Sequence, residues 1–211
     1  MDSAAVDFLE GLAAIRIEPS ALKCVFLTHW HNDHSAGAAY LKKNFGTPVY
    51  YSPAEKPYLT RETAKHGLRT WLGSRVPEEG PLVLIRGLLE EAAPAAVIAD
   101  YLVRDGEDLP GGFRVLATDG HTPGHVAYFH QPTRALFCGD ALAVVDDRLR
   151  LMARPVTPDL HAARIAAMRC VEEDARVMCP GHRGPLTKNV TEERARMRAQ
   201  LESGAAWPLL G

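Results

Sequence analysis

The stretch Thr28-His29-Trp30-His31-Asn32-Asp33-His34 decides the reading of this chain. It follows KCVFLT (residues 23–28), an apolar run that predicts a buried strand. It precedes Ser35, where a helical pattern opens that runs to about Phe45 and stops at Gly46. His29 and His31 are two apart, so near a strand end they face the same side. Asp33 and His34 follow in the turn, where backbone direction is less constrained. Imidazole and carboxylate together suit zinc, iron or manganese. The bland alternative is a surface histidine cluster. Three histidines and an aspartate in this pattern arise by composition only on the order of once in a thousand such chains, so a metal site is the expectation.

Working outward, three later segments place further metal-type residues after apolar runs. Asp119-Gly120-His121-Thr122-Pro123-Gly124-His125 is a tight loop after a strand-like run, Leu136-Phe137-Cys138-Gly139-Asp140 ends on an aspartate, and Cys179-Pro180-Gly181-His182 leads to a histidine. Strand ends are where a rigid sheet presents functional groups. Helices are expected from Ser3 to Leu12, from Ser52 (cap, with Pro53 first and Glu55 closing a capping box) to about His66, over Pro81 to Glu91, from Thr157-Pro158-Asp159 to about Glu173, and from Thr191 to Leu201. Strands are expected over Pro48–Tyr51, Asp100–Val103, Phe113–Thr118, Val126–Phe129, Ala135–Cys138 and Arg176–Cys179. Residues 67–81 read as a Gly- and Pro-containing surface loop, and DGEDLPGG (residues 105–112) as turn chemistry. Mixed strands and helices make the class α/β.

Composition bounds the rest. A chain of 211 residues predicts one domain over residues 1–211. With 46% hydrophobic and 24% charged residues it carries a globular core rather than a disordered tail. A formal net charge of −2 excludes a basic nucleic-acid footprint at the level of the chain. No stretch approaches the roughly 18 apolar residues of a membrane span, and the start lacks a signal-peptide core, so a cytoplasmic protein is expected. Cys24, Cys138, Cys170 and Cys179 form no C-x-x-C pair and read as reduced residues in or near the core.

On these motifs the chain resembles the metallo-β-lactamase-fold hydrolase superfamily, from about residue 20 to 190. The H-x-H-x-D-H hallmark is matched by His29, His31, Asp33 and His34, the third-motif histidine by His121, the bridging aspartate by Asp140 and the last histidine by His182. The resemblance implies a four-layered αββα sandwich with two divalent metals at one end, zinc first, with iron and manganese as alternatives. His29, His31 and His121 would hold one metal; Asp33, His34 and His182 the other; Asp140 would bridge. A bridging hydroxide would attack a small ester, thioester or lactone, with Asp33 or Asp140 handling protons, and no serine or cysteine nucleophile would be needed. Metals ~3.5–4 Å apart polarise a carbonyl and acidify water together. GHTPGHVAYFH, LFCGDALAV and PVTPDL are similar to glyoxalase-II-like single-domain hydrolases. Only 29 residues follow His182, too few for a glutathione-binding helical extension.

The resemblance also implies more chain before the hallmark than is present here, so the usual N-terminal strands are not in the sequence. A truncated chain is one expectation. A short protein whose exposed edge is covered in a homodimer is another. Three activities compete with the hydrolase: a metallo-endoribonuclease of the same fold, against which the lack of a basic groove counts, iron-dependent sulfur chemistry, and β-lactam hydrolysis. A metal-binding but inactive chain is the non-enzymatic reading. A small-molecule partner is expected, and neither membrane nor nucleic acid is. His125 is read as a histidine packed beside the GHTPGH turn, and His66, His130 and His161 as surface residues. Trp30 either lines the pocket or packs. Trp71, Arg69 and Arg75 belong to a surface loop that could cover the metals, and Arg183 is either a steering charge or a solvated one.

Overall fold

The computed structural model describes residues 3–61 and 95–209. The expectations for His66, the 67–81 loop with Arg69, Trp71 and Arg75, and the Pro81–Glu91 helix lie outside the described residues. The chain divides into two compact units. One takes the described residues of 1–25, 30–49 and 56–100; the other takes 26–29, 50–55 and the described residues from 101 on.

In the first unit, α1 (Ser3–Ala14) and α2 (Asn32–Phe45) pack together, with the Phe8 ring 3.7 Å from the position a Cβ on Gly37 would take. Gly11 does not stop α1, because a helical glycine costs only about 1 kcal/mol and the packed face outweighs it. The second helix begins three residues before the predicted Ser35. His31 is its N-cap, so Asp33 and His34 lie in the first turn rather than in a free turn. The Ser35 hydroxyl, taken as the start signal, instead donates back to the carbonyls of Trp30 (2.8 Å) and His31 (2.9 Å). Asp33 sits where the helix dipole favours a carboxylate. Gly46, in left-handed conformation, closes α2 as predicted. Lys42 reaches from its last turn to Asp100 at 2.7 Å, and Asp100 also accepts the Val49 N–H at 2.8 Å.

Of the expected helix from Ser52 to about His66, the described residues end at Arg61. A 3-10 turn over Pro53–Glu55 leads into α3 (Lys56–Leu59), and Arg61 turns left-handed. The Glu55 side chain is buried, as shown below.

The second unit is built on a five-stranded sheet of order β10-β7-β6-β5-β4: β4 (Asp108–Leu109), β5 (Phe113–Ala117), β6 (Val126–His130), β7 (Ala135–Gly139) and β10 (Val177–Pro180). Only β10 and β7 run parallel. Alternation on β7 buries Leu136 and Cys138 and turns Phe137 outward. The buried face meets α4 (Leu160–Glu172) through Ala166, Ala167 and Cys170, and α5 (Val190–Glu202) through Met197 and Leu201. Asp159 caps α4 by accepting the His161 and Ala162 N–H groups. A hairpin of β8 (Ala143–Val145) and β9 (Arg148–Arg150) turns at Asp146-Asp147, both left-handed. The sequence reading missed it, because no Asn-Gly or Asp-Gly pair marks that turn. DGEDLPGG contributes β4 besides its turns.

A three-stranded sheet has the order β1 (Val25–Phe26), β2 (Val49–Tyr51), β3 (Tyr101–Leu102). Within the second unit, Leu27 N–H donates to the Tyr50 carbonyl and Val126 N–H to that of Thr28. The Phe26 ring lies 5.0–5.2 Å from Tyr50, Phe113 and Tyr128, and the Tyr128 hydroxyl donates to the Leu27 carbonyl. These contacts register the 26–29 segment, and hence His29, against β6.

Candidate metal centre

Four of the predicted residues converge in the second unit, each just beyond a strand. His29 follows β1, His121 follows β5, Asp140 follows β7 and His182 follows β10. His29, His121 and Asp140 are at most 5% exposed, while the His182 side chain is 43% exposed, so the cluster opens toward solvent on the His182 side. One carboxylate oxygen, Asp140 Oδ2, lies 3.3 Å from Nε2 of His121 and 3.3 Å from Nε2 of His182. The His29 and His121 rings meet edge to face at 4.9 Å. The bond from Gly181 N–H to the Gly139 carbonyl at 2.9 Å locks the His182 segment beside the Asp140 segment.

The donor set fits a divalent metal. Imidazole nitrogens and carboxylate oxygens bind such ions at about 2.0–2.2 Å, so two corners of one coordination tetrahedron stand about 3.3–3.5 Å apart. The two observed 3.3 Å separations match that edge and exceed the usual length of a charge-assisted hydrogen bond.

His125 is no ligand. It is 1% exposed, and its Nε2 accepts the Asp140 backbone N–H at 3.0 Å. A backbone N–H can only donate, so Nε2 carries no proton. Nδ1 therefore holds the proton and donates to Thr118 Oγ1 at 2.8 Å. Both ring nitrogens are engaged, and the neutral ring fixes the backbone of Asp140. The packed, supporting role expected for His125 is the one observed. Thr118, seven residues earlier, carries no motif that would have marked it. Gly139 is required beside this ring. It has φ +46°, and a Cβ there would stand 2.6 Å from His125 Nε2 and 2.9 Å from Thr28 Oγ1.

His31, Asp33 and His34 belong to the first unit, at the N-cap and first turn of α2. Asp33 Oδ2 is 3.4 Å from His34 Nε2, and the Asp33 side chain is 59% exposed. Trp30 packs: its ring stacks on Tyr58 at 5.1 Å and 12°. His130 bonds to Thr133 and the Gly111 carbonyl across a turn, and His161 stands in the first turn of α4. Arg183 is exposed and left-handed. All four cysteines are free thiols.

Taken together, these are the features of an α/β protein with a histidine–aspartate cluster at its strand ends. The chain belongs to the metallo-beta-lactamase superfamily, whose sequence profile matches residues 1–182. It is 26% identical over 202 residues to the probable metallo-hydrolase YflN of Bacillus subtilis (strain 168), covering 86% of this chain and 72% of that protein. It is 32% identical over 131 residues to a hydroxyacylglutathione hydrolase of Citrobacter koseri, covering 62% of this chain but 38% of the relative. The metallo-beta-lactamase family protein TTHA1429 of Thermus thermophilus has the same fold. Its TM-score is 0.66 at 26% identity, over 96% of this chain and 68% of that one. TTHA1623, solved in a di-iron-bound form, gives a TM-score of 0.62 at 23% identity, over 89% of this chain and 82% of that one. The expected α/β metallo-beta-lactamase fold and membership of a superfamily of metallo-hydrolases are both met. No helix among the described residues is long and apolar enough to cross a membrane.

Proposed function

We propose that this chain is a dinuclear-metal hydrolase of a small ester, thioester or lactone. The observation that carries the reading is Asp140 Oδ2, equidistant from His121 and His182 and therefore placed to be shared. In this reading His29, His31 and His121 would hold one metal and Asp33, His34 and His182 the other, with Asp140 shared between them. Thr28 Oγ1 lies 3.1 Å from His29 Nδ1, so in this reading Nε2 is the nitrogen that would face a metal. Zinc is the first choice of metal, and the donor set also accepts iron or manganese. Two such ions would acidify water near neutral pH and polarise a substrate carbonyl.

The protein's own groups do the rest. Buried Asp140 is held by its backbone N–H on His125 and keeps its carboxylate aimed between two imidazoles. Asp33, exposed at a helix N-terminus, is the carboxylate that can take a proton and hand it to the leaving group. Support for an acyl substrate comes from the relative named as a hydroxyacylglutathione hydrolase, although the match leaves most of that protein's length uncovered. A small-molecule substrate and a cytoplasmic setting fit this reading.

The test is a panel of esters, thioesters and lactones assayed with zinc, iron or manganese, beside Asp140→Ala and His121→Ala. Turnover of at least one substrate, reduced to background in both variants and by a chelator, is expected. Turnover that survives Asp140→Ala would sink the proposal. RNA cleavage abolished by His31→Ala, with the panel untouched, would replace it with a nuclease.

A further inference from the structure

Glu55 is 0% exposed, although nothing in the proposed chemistry uses it. A carboxylate removed from water must find hydrogen bonds, since leaving a buried polar group unsatisfied costs on the order of several kcal/mol. Its Oε1 accepts two, from the Thr122 hydroxyl at 2.9 Å and from the Gly124 N–H at 2.7 Å. Both donors lie in one turn, nearly 70 residues away in sequence, and that turn has His121 at one end and His125 at the other. The approach is close. A Cβ on Gly124 would stand 2.9 Å from Glu55 Oε1, from the Glu55 nitrogen and from Ala54 Cβ, so only glycine lets the two segments meet.

The two bonds have a direction that packing alone lacks. They pin the middle of the turn, while Thr118 N–H donating to the His125 carbonyl at 3.0 Å ties its far end to the strand exit. His121 leaves this turn toward Asp140 Oδ2, and His125 leaves it toward the Asp140 backbone N–H. Rotation of the turn would therefore displace one imidazole and the bridging carboxylate together.

We propose that Glu55 is a positioning residue for the metal centre, its buried oxygen holding the turn that presents His121 and keeps His125 on Asp140. The proposal rests on the dinuclear reading above. Its experiment therefore has one readout that needs metal and one that does not.

The variants are Glu55→Ala, Glu55→Gln and Thr122→Val in the full chain. Zinc affinity is measured by competition with a chromophoric chelator, and the cobalt-loaded proteins are compared by visible absorption. Glu55→Ala is expected to weaken zinc binding about tenfold or more and to alter the cobalt bands, while Glu55→Gln, whose amide oxygen still accepts both bonds, stays within about threefold of wild type. Thr122→Val, which removes one donor, falls between. Hydrogen exchange on the metal-free protein supplies the second readout. The Gly124 amide should lose protection in Glu55→Ala and keep it in Glu55→Gln. Wild-type affinity, spectrum and protection in Glu55→Ala would overturn the proposal, as would a Glu55→Gln variant as impaired as the alanine. Should wild type take up no metal, the dinuclear reading falls and exchange decides the role of Glu55. Should Glu55→Ala not fold, Thr122→Val against Glu55→Gln carries the comparison.

Discussion

His125 shows how much depends on a single ring nitrogen. Its Nε2 takes the Asp140 N–H, so the ring is a clamp on the Asp140 backbone. Replacing it with alanine leaves the five-stranded sheet intact but frees the Asp140 backbone. The expected result is a loss of metal affinity of about 10–100-fold with unchanged far-UV circular dichroism. Affinity equal to wild type would mean that the clamp has no bearing on the centre. The cysteines give an independent check on burial. Burial pushes the Cys170 thiol up to about 12 and raises Cys138 well above the ordinary thiol value, while Cys24 and Cys179 are raised and only half-buried. Iodoacetamide on the native protein should label Cys24 and Cys179 first, and Cys138 and Cys170 only on unfolding, as read by peptide mass spectrometry. Rapid native labelling of Cys170 would contradict the packing of α4 against the sheet. At this scale the sequence was informative about residues that share a short motif. The spacing of His29, His31, Asp33 and His34 announced a site, and so did a polar residue after each apolar run. Glu55 and Thr118 were not legible, since their partners lie in other segments and nothing local marks the pairing.

Among the elements, α5 is held partly by charge. Glu193 accepts from Arg196 at 2.8 Å and from the Leu149 N–H at 3.0 Å, with Arg148 at 3.4 Å, which ties the helix to β9. The hydrogen bond from Arg196 is the main cause holding its carboxyl below the ordinary value of 4.5. A carboxyl lowered in the folded state stabilises fully above its unfolded value and loses that contribution as pH falls through the folded one. Glu193→Gln should therefore cost about 1–2 kcal/mol at pH 7, a Tm drop of about 2–8 °C. The gap to wild type should narrow below pH 4.5. Thermal melts at pH 7 and pH 3 check this, and a gap that widens on acidification would contradict it. The end of α4 and both ends of α5 could be read from the sequence to within a residue or two. The start of α2 could not, because His31 caps it through its backbone and Ser35 imitates a cap while bonding backwards. The burial of Glu55 was not legible, because its partner Gly124 lies in a distant segment.

For the molecule as a whole, composition and the hallmark motif sufficed for the fold class, and the superfamily match over residues 1–182 bears this out. Substrate choice was not legible, since it is made by loops whose content varies among proteins that share one fold. The central claim is the proposed two-metal centre. Elemental mass spectrometry of the purified protein, with Asp140→Ala beside it, tests that most directly. The account predicts about two divalent metals per chain in wild type, the number a bridged site requires, and a clear fall in the variant. Wild-type protein that is folded, has been offered zinc, iron and manganese, and still carries close to none would contradict it.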